Sequence, residues 1–134
     1  LIVSGKPTGI PWKDTILDLR VDDHPNPLIE LRRLIRINRA YQHANKGDEY
    51  LELEDIEKAL AEYEMAAHYY PENPELPFCS AVTLVSKGQI EKALPIFRDV
   101  FEREPRLRKL TPRLVDPGLL PNDPKVIDLI INIK

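Results

Sequence analysis

Asp55-Ile-Glu-Lys-Ala-Leu60 recurs, with one change, as Gln89-Ile-Glu-Lys-Ala-Leu94. The correspondence runs on past the six residues. Tyr63 aligns with Phe97 and Pro71 with Pro105, each pair thirty-four residues apart. Self-similarity at a fixed period of this size marks a chain built from stacked supersecondary units. Within each copy a small residue (Ala59, Ala93), an aromatic (Tyr63, Phe97) and a second compact residue (Ala66, Val100) share a helix. The proline that follows stops it, because proline has no N–H to give and its ring crowds the preceding turn.

Working back from these helices, each is preceded by a partner. Gly47 and Tyr50 lie on the first partner helix, Ala81 and Leu84 on the second, with Gly88 in the turn after it. A chain with this spacing and period resembles the tetratricopeptide repeat family. In that pattern small residues let helices A and B approach closely, and aromatics fill the gap between repeats. Two positions depart from it: His43 and Pro77 stand where the family places a helix-A tryptophan, and Glu54 stands where the first turn would carry glycine. The fold class expected is mainly α: two tetratricopeptide-like helical hairpins with capping helices, preceded by a short β-hairpin. Two repeats are fewer than such arrays normally need, so the flanks must act as caps.

The flanks carry their own signals. Asn26 is a good N-cap, Pro27 suits a first helical turn and Glu30 suits the helix dipole. Leu28, Leu31, Leu34, Ile35, Tyr41 and Ala44 then follow helical spacing, with Arg32, Arg33, Arg36 and Arg39 on the other side. This helix runs either unbroken to Glu52 or with a kink near Gly47. Beyond the repeats, Arg106–Val115 reads as a third helix A limited by Pro112. Asp116-Pro117-Gly118 reads as a turn, and Asn122 or Asp123 as the cap of a last helix starting at Pro124. Val126, Ile127, Ile130, Ile131 and Ile133 would pack that helix inward. Upstream, Leu17, Leu19 and Val21 alternate with Asp18, Arg20 and Asp22, the period of a half-buried strand. With Leu1-Ile2-Val3 it makes a hairpin, marginal by itself. The expected division is residues 1–24 as the β-rich remnant of an upstream domain and residues 25–134 as the helical domain. A first residue Leu1 and a sole methionine at Met65 fit an excised or processed chain.

The composition sets outer bounds. A length of 134 residues suits one domain with a real core. Nineteen basic against twenty-two acidic residues leave a net charge of −3, which argues against nucleic acid or an anionic membrane as partner. No run of about eighteen apolar residues is present. One cysteine excludes an internal disulfide, and a cytoplasmic location is expected. The thirteen prolines are about twice the ordinary share, and much of the excess reads as helix punctuation.

The linked order Leu19-Arg-Val-Asp-Asp-His-Pro-Asn-Pro27, Glu30-Leu-Arg-Arg-Leu34, Arg39-Ala-Tyr41, the two-repeat region and Gly118-Leu-Leu-Pro121 resembles the C-terminal part of an uncharacterised protein family. Members of that family carry an N-terminal-nucleophile hydrolase-like domain followed by a tail labelled peptidoglycan-binding. The resemblance covers nearly the whole chain. It implies that residues 1–22 close the upstream sheet and that the family's nucleophile lies outside this sequence.

Candidate chemistry is sparse. Asp22, Asp23 and His24 are the one cluster of metal-ligand types, though consecutive strand-end residues point apart and a structural junction is the expected role. Cys79 lacks a neighbouring base and reads as a core filler. His68, at a helix end, reads as a partner of terminal carbonyls. Arg32, Arg33, Arg36 and Arg39 form a solvated face with intrahelical pairs, or a dock for an upstream domain. Tyr41, Ala44, Asp48 and Leu51, then Phe78, Val82 and Val85, are the helix-A positions that would line a groove, filled by a peptide or by the chain's own flanks. Trp12 and the Tyr69–Tyr70 pair are the candidates for a sugar platform. No cofactor is expected. The leading expectation is a non-enzymatic protein-interaction or scaffold module, whose partner is a protein or its own upstream domain. Peptidoglycan or carbohydrate binding is one alternative, and self-assembly through residues 1–22 the other.

Overall fold

The computed structural model describes residues 2–4, 8–10, 15–18 and 24–134, with backbone alone for 2–4 and 15–18. Trp12, Asp22 and Asp23 therefore lie outside the described residues, as does the expected strand beyond Asp18 up to Asp22. The chain divides into two units, Leu1–Asn38 and Arg39–Lys134.

In the first unit β1 (Ile2–Ser4) pairs antiparallel with β2 (Thr15–Asp18), Val3 opposite Leu17, with an irregularity between Val3 and Ser4. Helix α1 (Pro27–Glu52) begins where Pro27 predicts. The Asn26 carbonyl accepts the Glu30 N–H at 3.1 Å, and Glu30 holds Arg33 through two bonds of 2.7 and 2.8 Å. Leu28 is 73% exposed and Ile35 is exposed too, so the apolar stripe expected there is not buried at these two positions. The boundary between the units falls inside α1, which runs through Gly47 without interruption.

The second unit is mainly helical. After α1 come α2 (Ile56–Tyr69), α3 (Glu75–Ser86), α4 (Ile90–Arg103), α5 (Pro105–Leu110), a 3₁₀ turn (Thr111–Leu114) and α6 (Pro124–Ile131). Repetition in sequence becomes repetition in backbone hydrogen bonds. At the end of α1, Glu54 N–H donates to Leu51 C=O and Asp55 N–H to Tyr50 C=O. At the end of α3, thirty-four residues on, Gly88 N–H donates to Val85 C=O and Gln89 N–H to Leu84 C=O. These bonds satisfy carbonyls that a helix end leaves orphaned. The same pair closes the 3₁₀ turn, from Gly118 to Val115 and from Leu119 to Leu114. Helices α2 and α4 end alike as well, Tyr70 N–H on Ala66 C=O and Glu104 N–H on Val100 C=O.

The residues picked out by the period are the interior. Ala59, Tyr63 and Ala66 of α2 and Ala93, Phe97 and Val100 of α4 are all buried. Phe97 meets Phe78 edge-on at 5.8 Å and lies 5.5 Å from Phe101. Fully burying one such side chain contributes about 1.5–3 kcal/mol. Leu107, Leu120 and Ile130 join this cluster from the C-terminal flank, with Val126, Ile127 and Ile133 packed against it. Val126, Ile127 and Ile130 of the last helix, with Ile133 after it, thus pack inward.

Several local expectations change. The third helix A is broken into α5 and the 3₁₀ turn, because Pro112 supplies no N–H for a continuing α-helical bond. Asp123, not Asn122, caps α6, its carboxylate accepting the Lys125 N–H at 2.9 Å. Pro105 follows the end of α4 and also opens α5. Pro95 lies inside α4, where proline is not punctuation at all.

Candidate functional site

The position sixteen residues before Tyr63 is not available to a larger side chain. A Cβ on Gly47 would stand 2.6 Å from the Tyr63 ring, so glycine lets α1 and α2 close on each other. That approach brings the Tyr63 hydroxyl onto Asp48, donating to Oδ1 at 2.5 Å. Burial first, and the Asp48 bond second, push the Tyr63 hydroxyl well above the ordinary tyrosine range, so it stays a donor. The bond pins the Asp48 side chain on α1.

Asp48 lines a cavity of about 710 Å³ between α1 and α3. Leu51 and Glu52 line it from α1, Glu54 and Ile56 from the turn into α2, Val82, Thr83 and Ser86 from α3, and Gly118 and Leu119 close one end. Asp48 and Val82 are repeat equivalents, as are Glu52 and Ser86. Its volume falls in the range of ligand pockets. The expected groove residues Asp48, Leu51 and Val82 are therefore brought together.

The other groove candidates are not. Phe78 is 5% and Val85 2% exposed, and both belong to the core with Leu120 and Ile130. As interaction residues they are corrected: both are buried in the core, Phe78 against Phe97 and Phe101 of α4. Val82 is 7% exposed and reaches the cavity from the core's edge. Ala44 packs on a second cluster with Ala40, Ala66 and Leu76.

Tyr41 joins a different assembly. Its ring, 45% exposed, meets Tyr70 edge-on at 6.5 Å, and its hydroxyl accepts from the Asn73 amide at 3.3 Å. Tyr69 stacks on His43 at 5.5 Å with 10° between planes. His43 Nδ1 lies 2.5 Å from Glu62 Oε2, so this side chain is held by a hydrogen bond and a ring stack. Sequence reasoning gave His43 no role, because its partner is nineteen residues away. His68 is exposed and edge-on to Tyr69 at 5.9 Å, and makes no hydrogen bond to the helix-terminal carbonyls expected for it.

The remaining candidates are local. His24 Nδ1 accepts the Asn26 N–H at 3.0 Å; the junction was expected to use an Asp side chain as acceptor, and Asp22 and Asp23 lie outside the described residues. Among the described residues no three His, Cys, Asp or Glu side chains gather as a metal site. Burial, with the Asp48 and Glu75 carboxylates adding to it, pushes the Cys79 thiol up to about 11, far from a thiolate nucleophile. Arg32 and Arg39 are exposed, and Arg33 pairs with Glu30, one of the intrahelical contacts expected of the basic face. Among the described residues no helix is long and apolar enough to cross a membrane.

Comparison of the chain with known protein families, curated proteins and solved structures returned no match.

Proposed function

We propose that this chain is a non-catalytic interaction module of two tetratricopeptide-like hairpins, α1–α2 and α3–α4, and that the α1–α3 groove is its binding surface. The observation that carries the reading is the pairing of repeat-equivalent positions, Asp48 with Val82 and Glu52 with Ser86, along one 710 Å³ groove. A helix-A groove built this way accepts an extended or helical peptide through alternating pockets and polar edges. The two-stranded β1–β2 hairpin fits the edge of a larger sheet, which supports the reading of a tail appended to a hydrolase-like domain with that domain as a partner. Cytoplasmic residence goes with this reading. The experiment is a peptide-library screen on the chain and on its Leu51→Arg variant. Binders lost in the variant support the module, and binders indifferent to it refute the groove.

A second reading, carbohydrate or peptidoglycan binding, is favoured by one observation. Tyr41, Tyr70 and Asn73 combine exposed aromatic surface with an amide, the ingredients of a sugar platform. Cosedimentation with peptidoglycan that is lost in Tyr41→Ala would transfer the function to that patch.

A further inference from the structure

The groove carries acidic and apolar side chains together. Asp48, Glu52 and Glu54 come from α1 and the turn after it, with Leu51 and Ile56 beside them, while Val82, Thr83 and Ser86 come from α3 and Leu119 from the turn after Leu114. Among the described residues no cation lines the groove. Asp48 accepts the Tyr63 hydroxyl through Oδ1, while the Glu52 and Glu54 side chains form no hydrogen bond or ion pair among the described residues. Leu119 is 39% exposed. Three carboxylates with no facing cation, beside the apolar Leu51, Ile56 and Leu119, fit an occupant that brings positive charge and apolar side chains together.

We propose that the groove binds a cationic amphipathic peptide segment of a partner protein. Its Lys or Arg side chains meet Asp48, Glu52 and Glu54, and its Leu or Ile side chains pack on Val82 and Leu119. The proposal rests on the reading of this groove as the interaction surface and names the partner class. The groove has room for several side chains, enough for a segment of a few residues rather than a folded domain.

The test is fluorescence anisotropy of the full chain with a short labelled peptide of alternating Leu and Lys pairs, beside the same peptide with Glu in place of Lys. The Lys peptide is expected to bind and the Glu peptide not to. Affinity should fall as salt rises, since exposed charges are screened. Glu52→Lys with Glu54→Lys should weaken binding at least about tenfold. Glu54→Gly alone should weaken binding while the variant melts no lower than the parent, which separates lost contact from lost fold. Equal binding of the Glu peptide, abolished by Leu51→Arg, would overturn the cationic partner and leave the interaction surface standing. Failure of both peptides, with concentration-dependent self-association abolished by the double charge reversal, would assign the groove to a second copy, whose Lys109, Leu110 and Arg113 carry the required pattern. Failure of both peptides with a strictly monomeric chain would overturn the cationic partner and the groove together.

Discussion

Glu54 and Gly88 occupy the same helix-ending turn thirty-four residues apart, and both adopt left-handed backbone, φ 59° and φ 80°. Only one of them is a residue suited to it. A side chain in this region crowds its own carbonyl, at a cost of about 1–2 kcal/mol, against which glycine loses some unfolded-state entropy.

Exchanging the two residue types separates the costs. Glu54→Gly is expected to stabilise the chain by about 0.5–1 kcal/mol. Gly88→Ala should destabilise it by about 1 kcal/mol, although no atom lies within 4 Å of the new Cβ. Thermal denaturation followed by circular dichroism reads both. A lower midpoint for Glu54→Gly would mean that its side chain makes a stabilising contact.

Gly47 is constrained by a neighbour and not by its backbone angle. Gly47→Ala would set a methyl 2.6–2.9 Å from three atoms of the Tyr63 ring and should cost about 1–3 kcal/mol. Combining it with Tyr63→Leu should recover part of that loss, because the clash goes with the ring. Urea midpoints of the single and double variants check the coupling.

The buried Tyr63 hydroxyl predicts an alkaline limit. Its folded-state ionisation is shifted upward by burial and by Asp48, so the folded chain resists forming the phenolate that the unfolded chain forms at about pH 10. This group's contribution is fully present below about pH 10 and is lost as pH rises above it. Tyr63→Phe should cost about 0.5–1.5 kcal/mol at neutral pH through the lost Asp48 bond, and should flatten the decline above pH 10. An unchanged alkaline slope in the variant would show that other groups set the limit.

Pro95 breaks the helix ladder of α4 at an exposed position, denying the Glu91 carbonyl its usual donor. The equivalent residue in α2 is Ala61. Pro95→Ala is expected to stabilise the chain by about 1–3 kcal/mol, visible as a higher urea midpoint at unchanged slope.

What could be read in advance follows from the range of the interactions involved. The repeat, the helix starts at Pro27 and Pro124 and the buried Ala59, Tyr63, Ala93 and Phe97 all follow from local spacing. The left-handed Glu54 had a signal, since it sits where the second turn carries Gly88. His43 with Glu62, and Tyr41 with Asn73, join residues distant in sequence, and no periodicity encodes such pairs. Phe78 and Val85 looked like groove residues because their helix position is right. Phe78 instead packs on Phe97 and Phe101, and Val85 is buried in the same cluster, so this helix face is interior. Of the candidate site, Asp48, Leu51 and Val82 were legible. Glu52, Glu54 and Leu119 were not, because two of them lie on turns.

The groove is tested most directly by amide chemical-shift mapping on the isotopically labelled full chain during titration with the Leu–Lys peptide. The account predicts that shifts concentrate at Leu51, Ile56, Val82, Thr83 and Leu119. Shifts concentrated instead at Ala61, Glu64, Lys92 and Ile96, which line a separate cavity between α2 and α4, would contradict it.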